Sequence, residues 1–312
     1  MARPGRPAIA TELGQVVASH GRLLDIEDEA RERHPCRLHG RSLRAVCGDR
    51  VRFGYASSGD PQGTVYEVLP RASLLERLNS RGGSEPVVAN LTQLAVVVAP
   101  APVPDWAVVD RYLAGAEWAG LAALLVFNKC DRPEARDAAL DQELSGFGAL
   151  GYPVLHISAR GAPGPEALAQ ACKGAVSALV GQSGTGKSSL LNALVPEAQA
   201  VTREISAATE SGRHTTTTAA LHRLAHGGAL VDAPGVRDFA PPLPAPRALA
   251  GGYRDIVRYS PGCRFQDCLH RGEPECAVRA AAERGELSAR RYESYQNLLA
   301  LAEQFAQRNP RR

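Results

Sequence analysis

The sequence predicts a multidomain α/β protein, with a small all-β domain ahead of a mixed domain and a cysteine-bearing helical segment behind it. Three observations predict this. Short apolar stretches broken by Gly and polar residues fill positions 12–70. Val-rich runs then alternate with stretches of helical period, the pattern of strands and crossover helices in a mostly parallel sheet. Three of the seven cysteines crowd into positions 263–276, with a histidine among them.

Length and composition set the frame. The chain has 312 residues, enough for two or three domains, and is 44% hydrophobic, enough for real cores. A net charge of +3 leaves nucleic-acid binding open, because a balanced chain can still carry a basic face. No apolar run approaches the ~18–20 residues that span a bilayer. The opening "MARPGRPAIATELG" lacks the apolar centre of a signal peptide. The expectation is a soluble cytoplasmic protein, a reducing setting in which clustered cysteines suggest metal before disulfides.

In chain order, residues 1–11 read as a disordered tail. "GQVVASHGRLLDIED", "CRLHGRSLRAVCGDRVRFGY" and "GTVYEVLP" read as short antiparallel strands, and "GDPQG" as a turn between two of them. A five-stranded barrel over 12–75 fits that length. Arg22, Arg37, Arg41, Arg44, Arg50 and Arg52 make it basic, either as a nucleic-acid face or as a solvated one. Residues 71–86 read as a basic connector. A mixed domain follows over 84–240, with buried strands in "VVANLTQLAVVVAP", "LAALLVFNKCD" and "PVLHISAR". "DWAVVDRYLAGAEWAG" has helical period, and "AVSALVGQSGTGKSSLLNALV" reads as strand, glycine loop, helix. "HRLAHGGALVDAPG" is a hairpin-like pair. "APPLPAPRALAGG" reads as a linker into a third domain over 245–312. That domain ends in "SARRYESYQNLLALAEQFAQ", a solvated amphipathic helix.

Four short motifs carry chemistry. "GQSGTGKS" fits G-x-x-x-x-G-K-[ST] at 181–188. Gly181 and Gly186 let backbone N–H groups wrap a phosphate, Lys187 reaches its outer oxygens, and the Ser188 hydroxyl suits Mg²⁺. The helix that starts there adds its positive end. In "VDAPG", Asp232 suits the Mg²⁺ side and Gly235 lets a backbone N–H approach the γ-phosphate. Alone it is an ordinary turn; behind a phosphate loop it is a stronger signal. Between them, "SGRHTTTT" offers Thr215 or Thr216 to close over Mg²⁺ and the γ-phosphate, with the register left open. "NKCD" places Asn128 at the purine edge and Asp131 opposite guanine N1–H and the exocyclic amine, while the Lys129 stem packs on the base. "SAR" at 158–160 offers the Ala159 N–H to guanine O6. An ATPase or small-molecule kinase reading leaves Asn128 and Asp131 without work.

These motifs stand in the usual GTPase order, cut and rejoined: the base-reading elements come first and the phosphate loop after them. A domain with adjacent termini tolerates such permutation. The segment after Gly235 then leads straight into the third domain, so a nucleotide-driven shift there can move a neighbour. Val236 stands where signalling GTPases carry a water-orienting Gln, which predicts slow hydrolysis until a partner intervenes. His214 is either a polar substitute or a solvated loop histidine.

Cys263, Cys268, His270 and Cys276 give C-x₄-C-x-H-x₅-C, a closed tetrahedral set for one structural zinc. Cys36, Cys47, Cys130 and Cys172 read as ordinary buried or loop cysteines. His34, His39, His222 and His226 read as plain surface or core residues.

The combination of "GQSGTGKSSL", "GRHTTT", "DAPGVRDF" and the cysteine spacing resembles the bacterial ribosome small subunit-dependent GTPase A family, over about residues 12–300. The resemblance implies an N-terminal OB-fold β-barrel, a circularly permuted P-loop GTPase α/β domain and a C-terminal zinc-binding helical domain. It implies a cytoplasmic GTP hydrolase, with no membrane partner and monomeric. Its turnover would be stimulated by the 30S subunit during late maturation, with contacts to 16S rRNA. An alternative is a GTP-gated RNA-binding module whose hydrolysis is incidental. Carried over, GTP and Mg²⁺ would be held by Asn128, Lys129, Cys130, Asp131, Ser158, Ala159, Gly181, Gln182, Ser183, Gly184, Thr185, Gly186, Lys187, Ser188 and Ser189. Zn²⁺ would be held by Cys263, Cys268, His270 and Cys276. Lys187, His214, Thr215, Thr216, Asp232 and Gly235 would serve catalysis. Ala233 departs from the threonine common in the family, at a position whose side chain is not used.

Overall fold

The structure, a computed structural model, describes residues 10–55, 60–78, 84–196, 219–233 and 241–308. The first five strands are β1 (Glu12–His20), β2 (Leu23–Asp28), β3 (Arg33–Leu38), β4 (Arg50–Gly54) and β5 (Gly63–Val68). They run in the order β1-β2-β3-β5-β4, and β4 closes back on β1. The β3–β5 pair is parallel and the other pairs are antiparallel. This is the Greek-key closure of an OB-type barrel. Val16, Leu24, Ile26, Val51, Phe53 and Val65 fill its interior, alternating with polar residues along each strand.

The expected connector at 71–86 is largely a hairpin. Strands β6 (Leu74–Leu78) and β7 (Ser84–Ala89) pair antiparallel, with Leu75 opposite Val88. Both side chains enter the main core, which outweighs the polar residues around them. Asp49, fully buried, accepts from Arg71 Nε and Nη2 at 2.7 and 2.8 Å and fixes the hairpin's approach to the barrel.

The mixed domain follows as β8 (Gln93–Val98), α1 (Trp106–Trp118), β9 (Ala122–Phe127), α2 (Ala138–Ala149), β10 (Val154–His156), α3 (Glu166–Ala171), β11 (Val176–Val180), α4 (Lys187–Leu194), β12 (Ala219–Arg223) and β13 (Ala229–Asp232). Strands β10, β9, β8, β11 and β13 are parallel neighbours, and β12 runs antiparallel beside β13. Both faces of this sheet are covered, as crossover helices require. On β8, Leu94, Val96 and Val98 enter the core with α1 and α2, while Ala95 and Val97 enter the core with α3 and α4.

The barrel and the parallel sheet are not separate layers. β12 pairs antiparallel with β1, Ala18 opposite Ala220, so 11 strands form one hydrogen-bonded sheet. Arg223, at the end of β12, reinforces the seam by donating to Glu27 and Gln15 at 2.9 and 2.8 Å.

The expected linker after 240 is only partly open chain. Residues Pro246–Gly252 form 3₁₀ turns with Leu249 fully buried, and Trp118 Nε1 donates to Leu249 O at 3.2 Å. Helices α5 (Arg254–Tyr259), α6 (Ala277–Glu283) and α7 (Ala289–Arg308) follow. α7 is less solvated than its polar sequence suggests: Arg291, Ser294, Tyr295, Leu299 and Ala302 are buried. Among the described residues no helix is long and apolar enough to cross a membrane.

Candidate nucleotide site and metal centre

Parallel strands place their carboxyl ends at one edge of the sheet, where α/β proteins build ligand sites. There β9 runs into Asn128–Asp131, β10 into Ser158–Arg160 and β11 into Gly181–Ser188. The phosphate loop needs glycine at two points. Gly181 has φ +140° and Gly186 φ +96°; a Cβ there would sit 2.2 Å from Val97 O or Asn128 Nδ2. Substitution therefore meets both backbone strain and collision.

Asn128 is nearly fully buried and stitches the loops together. Its Nδ2 donates to Thr185 O at 2.8 Å and its Oδ1 accepts from Ala159 N at 3.1 Å. One donor and one acceptor of the carboxamide are thus committed to the protein, so its first task is to hold the loops in register. Lys129, at φ +62°, donates from Nζ to Ala101 O and Gly184 O at 2.6 and 2.7 Å. Burial, aided by Arg132, lowers the pKa of that ammonium. Ser158 Oγ accepts from Gly161 N at 2.9 Å and shapes the turn that presents Ala159. Lys187 Nζ donates to Gly181 O and Gln182 O at 2.6 and 2.7 Å.

The three loops enclose one open cavity of about 560 Å³. Asn128, Lys129, Asp131, Ser158, Ala159, Ser183, Gly184, Gly186, Lys187, Ser188 and Ser189 line it, joined by Arg132 and Arg160, which the motifs did not single out. Gly181, Gln182 and Thr185 support the loop from behind. Cys130 packs against the main core and does not line the cavity. Asp232 borders an adjoining cleft with Lys187 and Ser188, which brings that residue beside the start of α4. The Ser188 hydroxyl and the Asp232 carboxylate offer hard oxygens that suit Mg²⁺. His214, Thr215, Thr216 and Gly235 lie outside the described residues.

The second constellation is a loop between α5 and α6. The donor atoms of Cys263, Cys268, His270 and Cys276 all lie within 4.8 Å of one another. Cys263 Sγ is 3.5 Å from His270 Nδ1 and 4.0 Å from Cys276 Sγ, and Cys276 Sγ is 3.7 Å from His270 Nδ1. Those separations lie on, or for the two sulfurs slightly beyond, the edges of about 3.5–3.8 Å of a tetrahedron built on Zn–S and Zn–N bonds. The imidazole is oriented from behind. Ser260 Oγ donates to Ile256 O at 2.7 Å and lies 3.2 Å from His270 Nε2. The hydroxyl proton being used, Nε2 carries the hydrogen and Nδ1 offers its lone pair inward. Tyr292 and Gln296 of α7 donate to His270 O at 2.5 and 2.7 Å, holding that residue at φ +58°. Burial pushes the Cys268 thiol up to about 12, raises the Cys276 thiol and lowers the His270 imidazole. The donor set fits a cation, which would stabilise the thiolates that burial disfavours. Ser260, Tyr292 and Gln296 belong to no motif, and the sequence analysis did not single them out.

Comparison with known proteins now decides the lineage. Residues 68–241 match the family model described as RsgA GTPase. A protein of Azotobacter vinelandii called "Small ribosomal subunit biogenesis GTPase RsgA" is 41% identical over 295 residues, covering 92% of this chain and 84% of its own.

The chain belongs to the RsgA GTPase family.

The same name belongs to a Chromohalobacter salexigens protein, 40% identical over 92% of this chain and 85% of its own. Among solved structures, YjeQ from Thermotoga maritima superposes with a TM-score of 0.75 at 32% identity, over 94% of this chain and 99% of its own. YloQ, titled a circularly permuted GTPase, gives 0.73 at 25% identity over the full length of both. The permuted order of motifs is therefore the order of an RsgA GTPase, and this chain is a GTP hydrolase of that family.

Proposed function

We propose that this chain binds GTP with Mg²⁺ in the 560 Å³ cavity, hydrolyses it, and uses the cycle to control its stay on the small ribosomal subunit during biogenesis. The observation that carries the reading is the convergence of Asn128–Asp131, Ser158–Ala159 and Gly181–Ser189 on one cavity, despite their reordering in the chain. Asp131 accepts from guanine N1–H and its amine, and Ala159 N–H meets O6. Backbone N–H groups of 182–188 and the start of α4 hold the phosphates. Ser188 and Asp232 would hold the Mg²⁺, which would supply positive charge against the phosphates. Lys187 stabilises charge on the transferring phosphoryl group, and water is the nucleophile. Gly235 and the segment around His214, Thr215 and Thr216 complete the γ-phosphate side. One Zn²⁺ held by Cys263, Cys268, His270 and Cys276 fixes the C-terminal fold and does no chemistry. The barrel's arginines meet 16S rRNA. The chain works as a monomer in the cytoplasm, and its three domains divide near 12–75, 84–240 and 245–312.

GTP turnover with and without purified small subunits tests this, with large subunits and ATP as controls. Stimulation confined to GTP and to small subunits is expected. Slow turnover indifferent to small subunits would overturn the partner and leave a GTP-gated RNA-binding module.

A further inference from the structure

Helix α1 touches the phosphate loop at one end and the zinc-bearing domain along its length. At its start, Asp105 caps the helix by accepting from Ala107 N and Val108 N, and its own N–H donates to Gln182 Oε1 at 2.8 Å. The neighbouring Ala101 O is tied by Lys129 Nζ to Gly184 O. Two points of the segment leading into α1 are therefore pinned to the phosphate loop.

One turn in, α1 carries Asp110, whose side chain is completely buried. Arg290 Nη1 donates to its Oδ2 at 2.7 Å, and Arg291 Nη1 donates to its Oδ1. The same Arg291 forks onto Asp255 of α5, Nε to Oδ2 at 2.6 Å and Nη2 to Oδ1 at 3.0 Å. Farther along, Arg254 Nε donates to Glu117 Oε1 at 2.7 Å and Trp118 Nε1 donates to Leu249 O. α7 also grips the metal loop, through Tyr292, Tyr295 and Gln296. The helix that braces the metal loop thus begins with the two arginines that brace α1.

We infer that the buried Asp110, clamped by Arg290 and Arg291, is a positioning residue for the nucleotide site, acting through helix α1 on the phosphate loop at Gln182. This rests on the reading of the cavity as a GTP site. Its physical content is that a buried planar guanidinium between two carboxylates admits one geometry, so α1 is held at a fixed height against the sheet. The loop hung from its first turn inherits that height. The C-terminal domain then acts as a brace for α1.

The test is a double-mutant cycle on the full-length, zinc-loaded chain, read as affinity for a fluorescent GDP analogue with Mg²⁺ and as KM and kcat for GTP. Asp110→Asn removes the charge at the brace while keeping the shape; Gln182→Ala removes one of the two links at the loop. Each should weaken nucleotide affinity about three- to ten-fold, and the double variant should lose clearly less than the product of the two singles. Multiplying losses would overturn the inference, as would Asp110→Asn lowering the melting temperature while leaving affinity and KM unchanged. If Asp110→Asn fails to fold, Arg290→Gln, at the half-open side of the same carboxylate, replaces it in the cycle with the same expected non-additivity. Wild-type protein that binds no guanine nucleotide would sink the GTP reading and this inference together. Wild-type binding with variants indistinguishable from it would sink this inference alone.

Discussion

The nucleotide cavity draws its lining from the ends of three parallel strands, while the metal loop draws all its donors from the single stretch Cys263–Cys276. The cavity is held by backbone groups, glycines and the Asn128 stitch, so the sheet beneath it supplies the order. The loop gathers its four donor side chains around one point, where a cation would supply the order. The difference teaches where each site is fragile: a change at the cavity should cost function and spare the fold, whereas a change at the loop should cost fold first.

The largest effect should come from the loop. Chelation, or Cys268→Ser, removes a binding energy on the order of 10 kcal/mol that is also folding energy. Melting followed by circular dichroism should show early loss of the C-terminal helices with the parallel sheet retained. Nucleotide affinity should fall about as much as in Asp110→Asn, through α1, and no further. Next comes Lys187→Ala, expected to slow GTP turnover by about 10²–10³-fold, as for other lost charge-stabilising donors, with the melting temperature unchanged. Ser260→Ala is smaller: the imidazole keeps its ligand atom but loses its orientation, so zinc affinity should drop about 10–100-fold in a competition with a chelator.

The smallest effect is electrostatic. Burial pushes the Glu273 carboxyl up, but backbone N–H groups including those of Leu269, Gly272 and Arg271 outweigh it and hold it at about 2. A depressed folded value stabilises above the unfolded one. The gain is present above pH 4.5 and is lost as pH falls from 4.5 towards about 2. The stability gap between the native chain and Glu273→Gln should therefore be open at pH 6 and close across that window.

The same contrast explains what the sequence made legible. The candidate metal set was visible in the sequence because donor identity and spacing fall along one stretch, and the structure brings those four donors together. The phosphate loop and Asn128–Asp131 stood out in the sequence because close backbone approach and a guanine edge each call for particular residue types, and the structure sets both on one cavity. Their meeting in one cavity was readable only by trusting the motif order, and the barrel only by its length and turn spacing. The β6–β7 hairpin was misread as connector because the cores that absorb Leu75 and Val88 are formed by distant strands. The buried Arg291 was missed for a similar reason: its partners Asp110 and Asp255 come from two other helices, and no local pattern distinguishes it from a solvated helix arginine. The strand pairing of β12 with β1 left no sequence mark, since backbone groups make it.

The most direct test of the central claim, that reordered loops rebuild one guanine-specific site, is competition for a bound fluorescent guanine nucleotide. With native protein, GTP should displace it while ATP and xanthosine triphosphate fail. With Asp131→Asn, xanthosine triphosphate should gain and GTP should lose, by about 100-fold in relative affinity. ATP competing as well as GTP against the native chain, or unchanged preference in Asp131→Asn, would contradict the account.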